Sequence, residues 1–403
     1  MSKNKLNLII DFNNLLLRSA CLPGLSYSNS TFDKDEDVYD CLKKVTIDIC
    51  YNIRLFNPTN VILLCDSPNA WRKDLLPNDE NGYKANRIKD ETKNWDNFFK
   101  IVNEYKELLQ ERGLNVVSIP RAEADDLAAL YKQKLYTIDN ECIVFISSDK
   151  DWRQLIDFDS NFEKYVIVFN STTNNKGRKK LYTTEDTINF INTKEELTEN
   201  DKISLMFGDI VKDNIIKESI LTAIDSAKID IEYVNPHYIV IEKIFGGDEG
   251  DNVPGYYTYY KTNKRGTYKT TITPSQIKKL IERLHISNMN DFLECMDYIK
   301  SELESIMNMT LPVDNRSTIN RQRCLVELNP TLFPINIVNE FEKLYKEQIP
   351  FPNRNYNNLK WTTLLKDSKF VDVSKLNKPA TNSVFKDFSN ASGFDKYLNN
   401  LFD

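Results

Sequence analysis

Five short runs rich in Val, Ile and Leu occur in the first half of the chain, with helical patterns between them. The runs are LNLIID (6–11), NVILLCD (60–66), NVVSIP (115–120), CIVFISSD (142–149) and YVIVFN (165–170). Nearly continuous apolarity is typical of strands that are buried on both faces, as in a parallel sheet. Helical patterns cover about 36–54, 94–112 and 123–135. The alternation predicts an α/β domain with a central, mostly parallel sheet.

The pattern changes in the second half of the chain. Residues 195–245 look helical and mixed, and residues 256–284 are rich in Tyr, Thr and Lys. Helical patterns follow to about 310, and another helix is predicted at about 336–347. The last 40 or so residues contain many Asn, Ser, Lys and Asp, which is typical of a loosely ordered tail.

Composition excludes several classes of protein. With 41% hydrophobic and 28% charged residues, the 403-residue chain has the composition of a folded soluble protein. No apolar run reaches the roughly 18–20 residues of a membrane span, and the N-terminus lacks a secretory signal, so we expect a cytoplasmic protein without a membrane partner. The seven cysteines form no CxxC pair, which favours reduced thiols. Two histidines, His237 and His285, leave little material for a histidine-rich zinc site or a Ser-His-Asp triad.

Three of the five predicted strands end in an aspartate: Asp11, Asp66 and Asp149. A single aspartate after a strand is usually a helix cap or a turn residue. The carboxyl ends of parallel strands, however, face the crevice in which open α/β sheets bind ligands. Three aspartates at one such edge therefore indicate a candidate site.

Six further acids occur in clusters next to predicted elements. They are Glu123, Asp125 and Asp126 in EADD, Asp151 in SSDKD, and Asp248 and Asp251 in GDEGDN. Favourable interaction with a helix dipole, worth under about 1 kcal/mol per acid, needs only one of them. Two carboxylates about 5 Å apart repel by roughly 3 kcal/mol at an effective dielectric near 20. A convergent set therefore needs protons or cations to neutralise it, and two magnesium ions about 3.5–4 Å apart suit phosphodiester hydrolysis.

Five segments that contain these acids resemble the 5′-nuclease superfamily, which includes flap endonucleases and phage 5′-exonucleases. They are LIIDFNNLL, VILLCDSPNAWRKDLLPNDENGYKANR, RAEADDLAAL, FISSDKDWRQLI and GDEGDNVPG, and together they cover about residues 5–255. The WR…YKANR segment most resembles the ribonuclease H branch of T-even phages. The resemblance implies an α/β fold with a helical arch and a C-terminal helical DNA-binding region. It also suggests a phage protein that acts in the host cytoplasm.

The resemblance also implies roles for individual residues. The ligands of a first metal ion would be Asp11, Asp66, Glu123, Asp125 and Asp149. The ligands of a second metal ion would be Asp126, Asp151, Asp248 and Asp251. The implied cofactor is two Mg²⁺ ions, with Mn²⁺ as a substitute. Lys84 and Arg87 would steer the scissile phosphate, and Arg72 is predicted to contact a phosphate.

The segment after Gly255 departs from the family pattern. It lacks the GIG-like turn that holds a potassium ion in many members, so we do not expect potassium here. Residues 256–284 instead carry five tyrosines and seven bases against Glu282: Lys261, Lys264, Arg265, Lys269, Lys278, Lys279 and Arg283. Such a stretch can bind a duplex backbone through phosphate contacts. The alternative is a solvated polar hairpin.

Asp151 and Asp248 are 97 positions apart, which looks long for a compact phage enzyme and predicts an insertion at roughly 186–240. We therefore divide the chain into a nuclease domain (1–185, with the arch at about 72–100), the insertion and return to the active site (186–245), a helix-hairpin-helix-like DNA-binding region (246–345) and a C-terminal extension (346–403). A further basic cluster lies in a predicted hairpin after YVIVFN: Lys176, Arg178, Lys179 and Lys180.

The C-terminal FDKYLNNLFD resembles peptides that dock on replication sliding clamps, through Tyr397, Leu398, Leu401 and Phe402. A single-stranded-DNA-binding protein is a further candidate partner by resemblance.

These features predict a magnesium-dependent, structure-specific 5′→3′ exonuclease or flap endonuclease. Its substrates would be RNA–DNA hybrid and DNA duplexes, and its role the removal of RNA primers during replication. Two alternatives remain. A PIN-like endoribonuclease shares the sheet and an acidic site, but Asp248, Asp251 and the basic region after them argue against it. A catalytically silent DNA-binding scaffold would gain nothing from nine costly carboxylates.

Overall fold

An eight-stranded sheet lies at the centre of the N-terminal half in the computed structural model of the protein. The structure describes residues 6–21, 30–56, 58–76, 82–87, 90–111, 114–172, 178–186, 229–263, 266–311, 319–348 and Phe370. The strands of the sheet are β1 (Leu6–Asp11), β2 (Asn60–Leu64), β3 (Asn115–Val117), β4 (Cys142–Ile146), β5 (Asp157–Asp159), β6 (Lys164–Asn170), β7 (Lys179–Thr183) and β8 (Ile229–Tyr233).

The strand order is β3-β2-β1-β4-β6-β7-β8, and β5 pairs with β6 outside this path. The five neighbouring strands from β3 to β6 run parallel, whereas β5 and β7 are antiparallel to β6, and β8 is parallel to β7. The predicted α/β fold with a mostly parallel sheet is therefore confirmed. The predicted hairpin after YVIVFN is the antiparallel β6–β7 pair.

Helices cover both faces of the sheet and continue beyond it. They are α1 (Phe12–Cys21), α2 (Asp35–Phe56), α3 (Trp95–Glu111), α4 (Ala124–Tyr131), α5 (Pro236–Gly246), α6 (Pro274–Leu284), α7 (Met289–Glu294), α8 (Met296–Met307), α9 (Ile319–Val326) and α10 (Ile335–Gln348). Between α5 and α6 lie the short strands β9 (Gly247–Asp248) and β10 (Val253–Pro254) and a hairpin of β11 (Thr258–Asn263) and β12 (Gly266–Thr271). Among the described residues, none of these helices is both long and apolar enough to cross a lipid bilayer.

The continuous apolarity of the strands is explained by two cores, one on each face of the sheet. Side chains alternate along β1, so that Leu8 and Ile10 belong to the core beneath α1–α3 and Ile9 to the core beneath α4 and α10. A third core joins α5, the hairpin and α6–α8 around Phe245 and Phe292. Leu76 and Tyr83 of the segment that precedes α3 also belong to this third core.

Several elements differ from the sequence prediction. β2 and β4 end earlier than predicted, so Asp66 and Asp149 lie in loops just beyond the strands. Helices α1 and α9 and strands β5 and β8 were not predicted as elements of their own. Phe370, in the segment predicted as a loose tail, is 5% exposed and its ring contacts Tyr39 and Tyr105.

Some predicted features lie outside the described residues. These are most of the predicted insertion (187–228), Lys176, Lys264, Arg265, and the clamp-binding residues Tyr397, Leu398, Leu401 and Phe402. The arch also stays a prediction, since residues 77–81 and 88–89 are not described. In the described part of 72–100, the helical elements are a 3₁₀ turn at Trp71–Asp74 and the start of α3.

A candidate metal centre at the edge of the sheet

The first part of the centre forms where β1, β2 and β4 end side by side. Asp11 is the last residue of β1, and Asp66 and Asp149 follow β2 and β4. The strands are parallel and in register, with Ile10 opposite both Leu63 and Ile146. The three aspartates consequently meet at one edge, as the sequence predicts.

Hydrogen bonds hold these strand ends together. Ser147 Oγ donates to Asp11 Oδ2 (2.9 Å), and Ser148 Oγ donates to Asn14 Oδ1 (2.8 Å). The backbone N–H of Asp66 donates to Asn13 Oδ1 (3.3 Å). Sequence reasoning missed these supporting residues, although the polar pairs in DFNN and ISSD beside the acids are a signal for them.

Burial and the crowding of like charges shift the pKa values of these acids. Burial, followed by repulsion from Asp66 and Asp149, raises the pKa of Asp11 to about 8. Asp66 keeps contact with solvent, but surrounding protein atoms desolvate its carboxyl group and raise its pKa. Burial and then repulsion from Asp149 raise the pKa of Asp125 well above its usual range. A cation among these groups would relieve the repulsion.

Two predicted ligands at the start of α4 differ in what they contact. Glu123 Oε1 lies 2.5 Å from Lys84 Nζ, and its Oε2 accepts a hydrogen bond from the hydroxyl of Tyr83 (2.9 Å). Asp125 Oδ1 accepts a hydrogen bond from Trp152 Nε1 (2.8 Å). Burial raises the pKa of Glu123, but Lys84 and Arg72 outweigh it and hold that pKa below its usual value.

Asp126 does not belong to the metal centre, contrary to the sequence prediction. Its side chain is fully buried and accepts hydrogen bonds from Trp71 Nε1 and from the backbone N–H of Glu123, both at 3.0 Å. Asp126 Oδ1 also lies 2.7 Å from Arg72 NH1. The residue therefore caps α4 and balances a buried guanidinium, because its carboxylate points into the protein.

The predicted phosphate contact of Arg72 is also wrong. Arg72 is 2% exposed, and its NH1 bridges Asp126 and Glu123, with 3.1 Å to Glu123 Oε2. Its Nε donates to the carbonyl of Cys324 at the end of α9 (3.2 Å). A guanidinium so enclosed is out of reach of a phosphate and instead ties three elements together.

The YKANR segment lies against the GDEGDN turn. Lys84 has a positive φ of 59°, and its backbone N–H donates to the carbonyl of Asp251 (2.9 Å). Its Nζ lies 3.5 Å from Asp251 Oδ2, and Arg87 NH2 lies 2.6 Å from Asp251 Oδ1. Burial alone would raise the pKa of Asp251. The positive charges of Lys84 and Arg87 outweigh this effect and hold the pKa below its usual value. The structure thus brings both predicted phosphate-steering bases to the carboxylates, with Arg87 still 58% exposed in its side chain.

A second group contains Asp151, Asp248 and Asp251, each with an oxygen within 4.8 Å of the others. Lys243 of α5 donates to both Asp151 and Asp248, with 2.5 Å to Asp248 Oδ2. Burial raises the pKa of Asp151 to about 7, although Lys243 opposes the shift. Sequence reasoning missed Lys243, which lies five positions before Asp248 in KIFGGD.

Glycines close the turn that carries Asp248 and Asp251. Gly247 has a φ of +80°, and a Cβ there would lie 2.5 Å from the carbonyl oxygen of Val253. At Gly255 a Cβ would lie 2.3 Å from the carbonyl oxygen of Phe245. Only glycine permits these close backbone approaches, which bring both aspartates toward Asp151.

The residues that converge fit a hard divalent cation. Eight of the nine predicted acids lie close enough to interact electrostatically along this edge. Within the described residues, the oxygens of Asp151, Asp248 and Asp251 are near enough to one another to hold one ion, without histidine or cysteine in the group. Carboxylate oxygens are the ligands that Mg²⁺ and Mn²⁺ prefer. In the second group the Lys243 ammonium already acts as a cation between two of them.

The predicted DNA-binding stretch forms the β11–β12 hairpin and α6. Tyr260 and Tyr268 are 70% and 46% exposed, whereas Tyr257 and Tyr259 are buried in the third core. The side chains of Lys261, Lys278 and Lys279 are exposed, and Lys269 lies opposite Tyr260 in the hairpin register. The GIG-like turn of the family is thus replaced by a hairpin that presents tyrosine and lysine.

A pH dependence of stability follows from the raised pKa values. Asp11 and Asp151 keep a proton in the folded protein up to about pH 8 and 7, but they ionise near pH 4 in the unfolded chain. The folded state therefore binds more protons, and stability falls as pH rises toward 8, by about 1.4 kcal/mol per unit for each proton. We expect the melting temperature in EDTA to fall from pH 6.5 to 8, and to fall less with Mg²⁺, in thermal melts. Parallel curves with and without Mg²⁺ would contradict cation binding by these acids.

The chain is similar to known proteins in one part of its sequence and in its fold. Residues 7–191 match the family described as 5′-3′ exonuclease, N-terminal resolvase-like domain. No curated protein sequence matches the chain.

Solved structures from bacteriophage T5 cover most of the chain. A protein co-crystallised with metal ions is 20% identical and covers 86% of this chain and 100% of its own, with a TM-score of 0.49. A flap endonuclease in a pseudo-enzyme-product complex with DNA and metal ions is 19% identical and covers 85% of this chain and 98% of its own, with a TM-score of 0.49. A 5′-exonuclease with bound zinc is 20% identical and covers 85% of this chain and 99% of its own, with a TM-score of 0.47.

The sequence match coincides with the parallel sheet and with six of the eight convergent acids, from Asp11 to Asp151. Over residues 7–191 the chain thus belongs to the family described as 5′-3′ exonuclease, N-terminal resolvase-like domain.

Proposed function

We propose that the protein is a divalent-metal-dependent, structure-specific nuclease that hydrolyses phosphodiesters near 5′ ends or flaps of DNA and RNA–DNA duplexes. The observation that carries the proposal is the close group of Asp151, Asp248 and Asp251, with Lys84 and Arg87 paired to Asp251 and the strand-end aspartates near enough to interact. Mg²⁺ is the cation of first choice, since it suits both oxygen ligands and phosphate substrates. RNA primers made during replication are the physiological substrate that we propose.

The residues divide the chemical work between them. The carboxylates around Asp11 and around Asp151 would hold two divalent ions, which supply an activated water and stabilise the leaving oxygen when bound. Lys84 and Arg87 are ion-paired with the carboxylates of Glu123 and Asp251, and their charges could hold a phosphate there and stabilise charge that develops on it. Arg87, which is more exposed than Lys84, would make the first contact with an incoming phosphate.

A panel of labelled substrates tests this function. The panel contains a 5′-flap duplex, a nicked duplex, an RNA-primed duplex and a single-stranded RNA, each incubated in EDTA, Mg²⁺ or Mn²⁺. We expect release of mono- and oligonucleotides from the 5′ end of the duplex substrates, dependent on the metal. Cleavage of single-stranded RNA alone would favour a PIN-like endoribonuclease, and duplex binding without cleavage would favour a silent scaffold.

The hairpin is proposed as a duplex-binding element. Exposed tyrosine beside lysine offers both stacking and phosphate contacts. We expect Lys261→Gln to weaken duplex binding and to reduce the slope of log K against log [salt] by about 1. The matched control is Lys346→Gln, an exposed lysine on α10. Fluorescence anisotropy at several salt concentrations measures the affinity for the duplex and its salt dependence in each variant. Equal slopes for the two variants would exclude the hairpin from the interface.

A further inference from the structure

Lys243 lies between two carboxylates of the second acidic group. Its Nζ donates to Asp151 and to Asp248, and these two residues and Asp251 all offer oxygens within 4.8 Å of one another. All of the side chains concerned are partly buried, with 15% exposure for Lys243. The ammonium therefore lies where a cation would best balance the aspartates.

Lys243 differs from Lys84 and Arg87 in where it comes from. Lys84 and Arg87 lie in the segment before α3 and contact Glu123 and Asp251. Lys243 instead lies on α5, whose core side chains Ile244 and Phe245 are fully buried. The backbone of α5 is held by this packing, whereas the lysine stem has four flexible carbons and can swing without movement of the helix.

A divalent ion and this ammonium cannot share the same carboxylate oxygens without strong repulsion between like charges. The ion would use lone pairs of Asp151 and Asp248 that now accept hydrogen bonds from Lys243. Binding of the ion therefore requires that the ammonium moves away. In the metal-free protein the same ammonium prevents the three carboxylates from repelling one another.

We propose that Lys243 is a built-in counter-ion that occupies the second cation position and is displaced when a divalent ion binds there. Lys243 then stabilises the metal-free protein and weakens its affinity for the second ion. The inference rests on the proposed function, because it assumes that Asp151, Asp248 and Asp251 hold a metal ion.

Metal binding in the absence of nucleic acid tests the proposal. Free Mn²⁺ is titrated by electron paramagnetic resonance with wild-type protein and with Lys243→Met, which keeps the apolar stem and removes the charge. We expect the Kd of the weaker Mn²⁺ site to fall at least about fivefold in Lys243→Met, as for two cations that compete for one position. Lys243→Arg, which keeps the charge, should not tighten the site.

Two further variants control the experiment. Lys132→Met removes another partly buried lysine, paired with Asp157 at 2.8 Å, and should leave both Mn²⁺ sites unchanged. Lys243→Gln removes the charge but keeps a hydrogen-bond donor, and it replaces Lys243→Met if that variant does not fold. Thermal melts should show a lower melting temperature in EDTA for the uncharged variants and a larger gain on addition of Mn²⁺ than for wild type.

The outcomes separate this inference from the proposed function. If the weaker Mn²⁺ site has the same or a higher Kd in the uncharged variants than in wild type, the role of Lys243 is overturned. It is also overturned if neither the wild type nor any variant shows a second Mn²⁺ site. A second site seen in the variants alone supports displacement. Wild-type protein that binds Mn²⁺ in this way but cuts no duplex would instead contradict the nuclease function.

Discussion

Asp149→Asn is expected to lower the rate of duplex hydrolysis by about 10³–10⁵-fold, because it would remove a charged ligand from the first metal position that we propose. Asparagine preserves the size of the side chain and can still accept the hydrogen bond from the backbone N–H of Asp151 (2.9 Å). Binding of the duplex should stay near the wild-type level, since the hairpin and Arg87 are unaffected. Single-turnover cleavage and anisotropy of the same 5′-flap substrate measure the two quantities.

A stability measurement distinguishes lost chemistry from lost folding in this variant. The charge of Asp149 raises the pKa of both Asp11 and Asp125, so its removal relieves repulsion in the metal-free protein. The melting temperature in EDTA should therefore rise or stay constant. Asp157→Asn, at a carboxylate paired with Lys132 outside the centre, is the control that should keep full activity. If Asp149→Asn cleaved the duplex at the wild-type rate, the proposed first metal position would be refuted.

Arg72→Met is expected to destabilise the fold by about 3–5 kcal/mol, because it leaves the buried carboxylates of Asp126 and Glu123 without their partner. The guanidinium is 2% exposed and also bonds the carbonyl of Cys324, so α9 loses a contact as well. Arg72→Lys should recover little, since an ammonium cannot reproduce the fork of hydrogen bonds. Urea or thermal unfolding with Mg²⁺ present measures the loss.

Arg87→Met provides the matched comparison for Arg72. The side chain of Arg87 is 58% exposed, so its loss should change stability by less than about 1 kcal/mol. It should instead slow cleavage, because Arg87 is the exposed base at the centre. If Arg72→Met were as stable as Arg87→Met, the structural role assigned to Arg72 would be wrong.

Local patterns were sufficient for the sheet and for most of the acidic centre. Strands buried on both faces must be continuously apolar, and aspartates at the ends of parallel strands must lie at one edge. Asp11, Asp66 and Asp149 could therefore be placed together from their positions alone. The clustering of EADD and GDEGDN added further acids, and the family resemblance supplied the role of a metal site.

Errors arose where a residue type is compatible with opposite environments. Arg72 and Asp126 look like any base and acid within their motifs, and only packing reveals that they neutralise each other beneath α4. Packing likewise decides the environment of the tyrosines after Gly255, since Tyr260 is exposed whereas Tyr259 is buried. Burial depends on which distant elements pack together, and no local pattern contains that information.

The amino-acid sequence thus determined the fold class, the edge at which the acids meet and their need for cations, because periodicity and charge are local properties. The tertiary structure decided which charges neutralise which. It placed Lys243 of α5 between Asp151 and Asp248, and Lys84 beside Glu123, across separations of 92 and 39 positions in the chain. Such pairings depend on how α5 and the YKANR segment pack against the sheet, so only the folded chain shows that the centre contains its own cations.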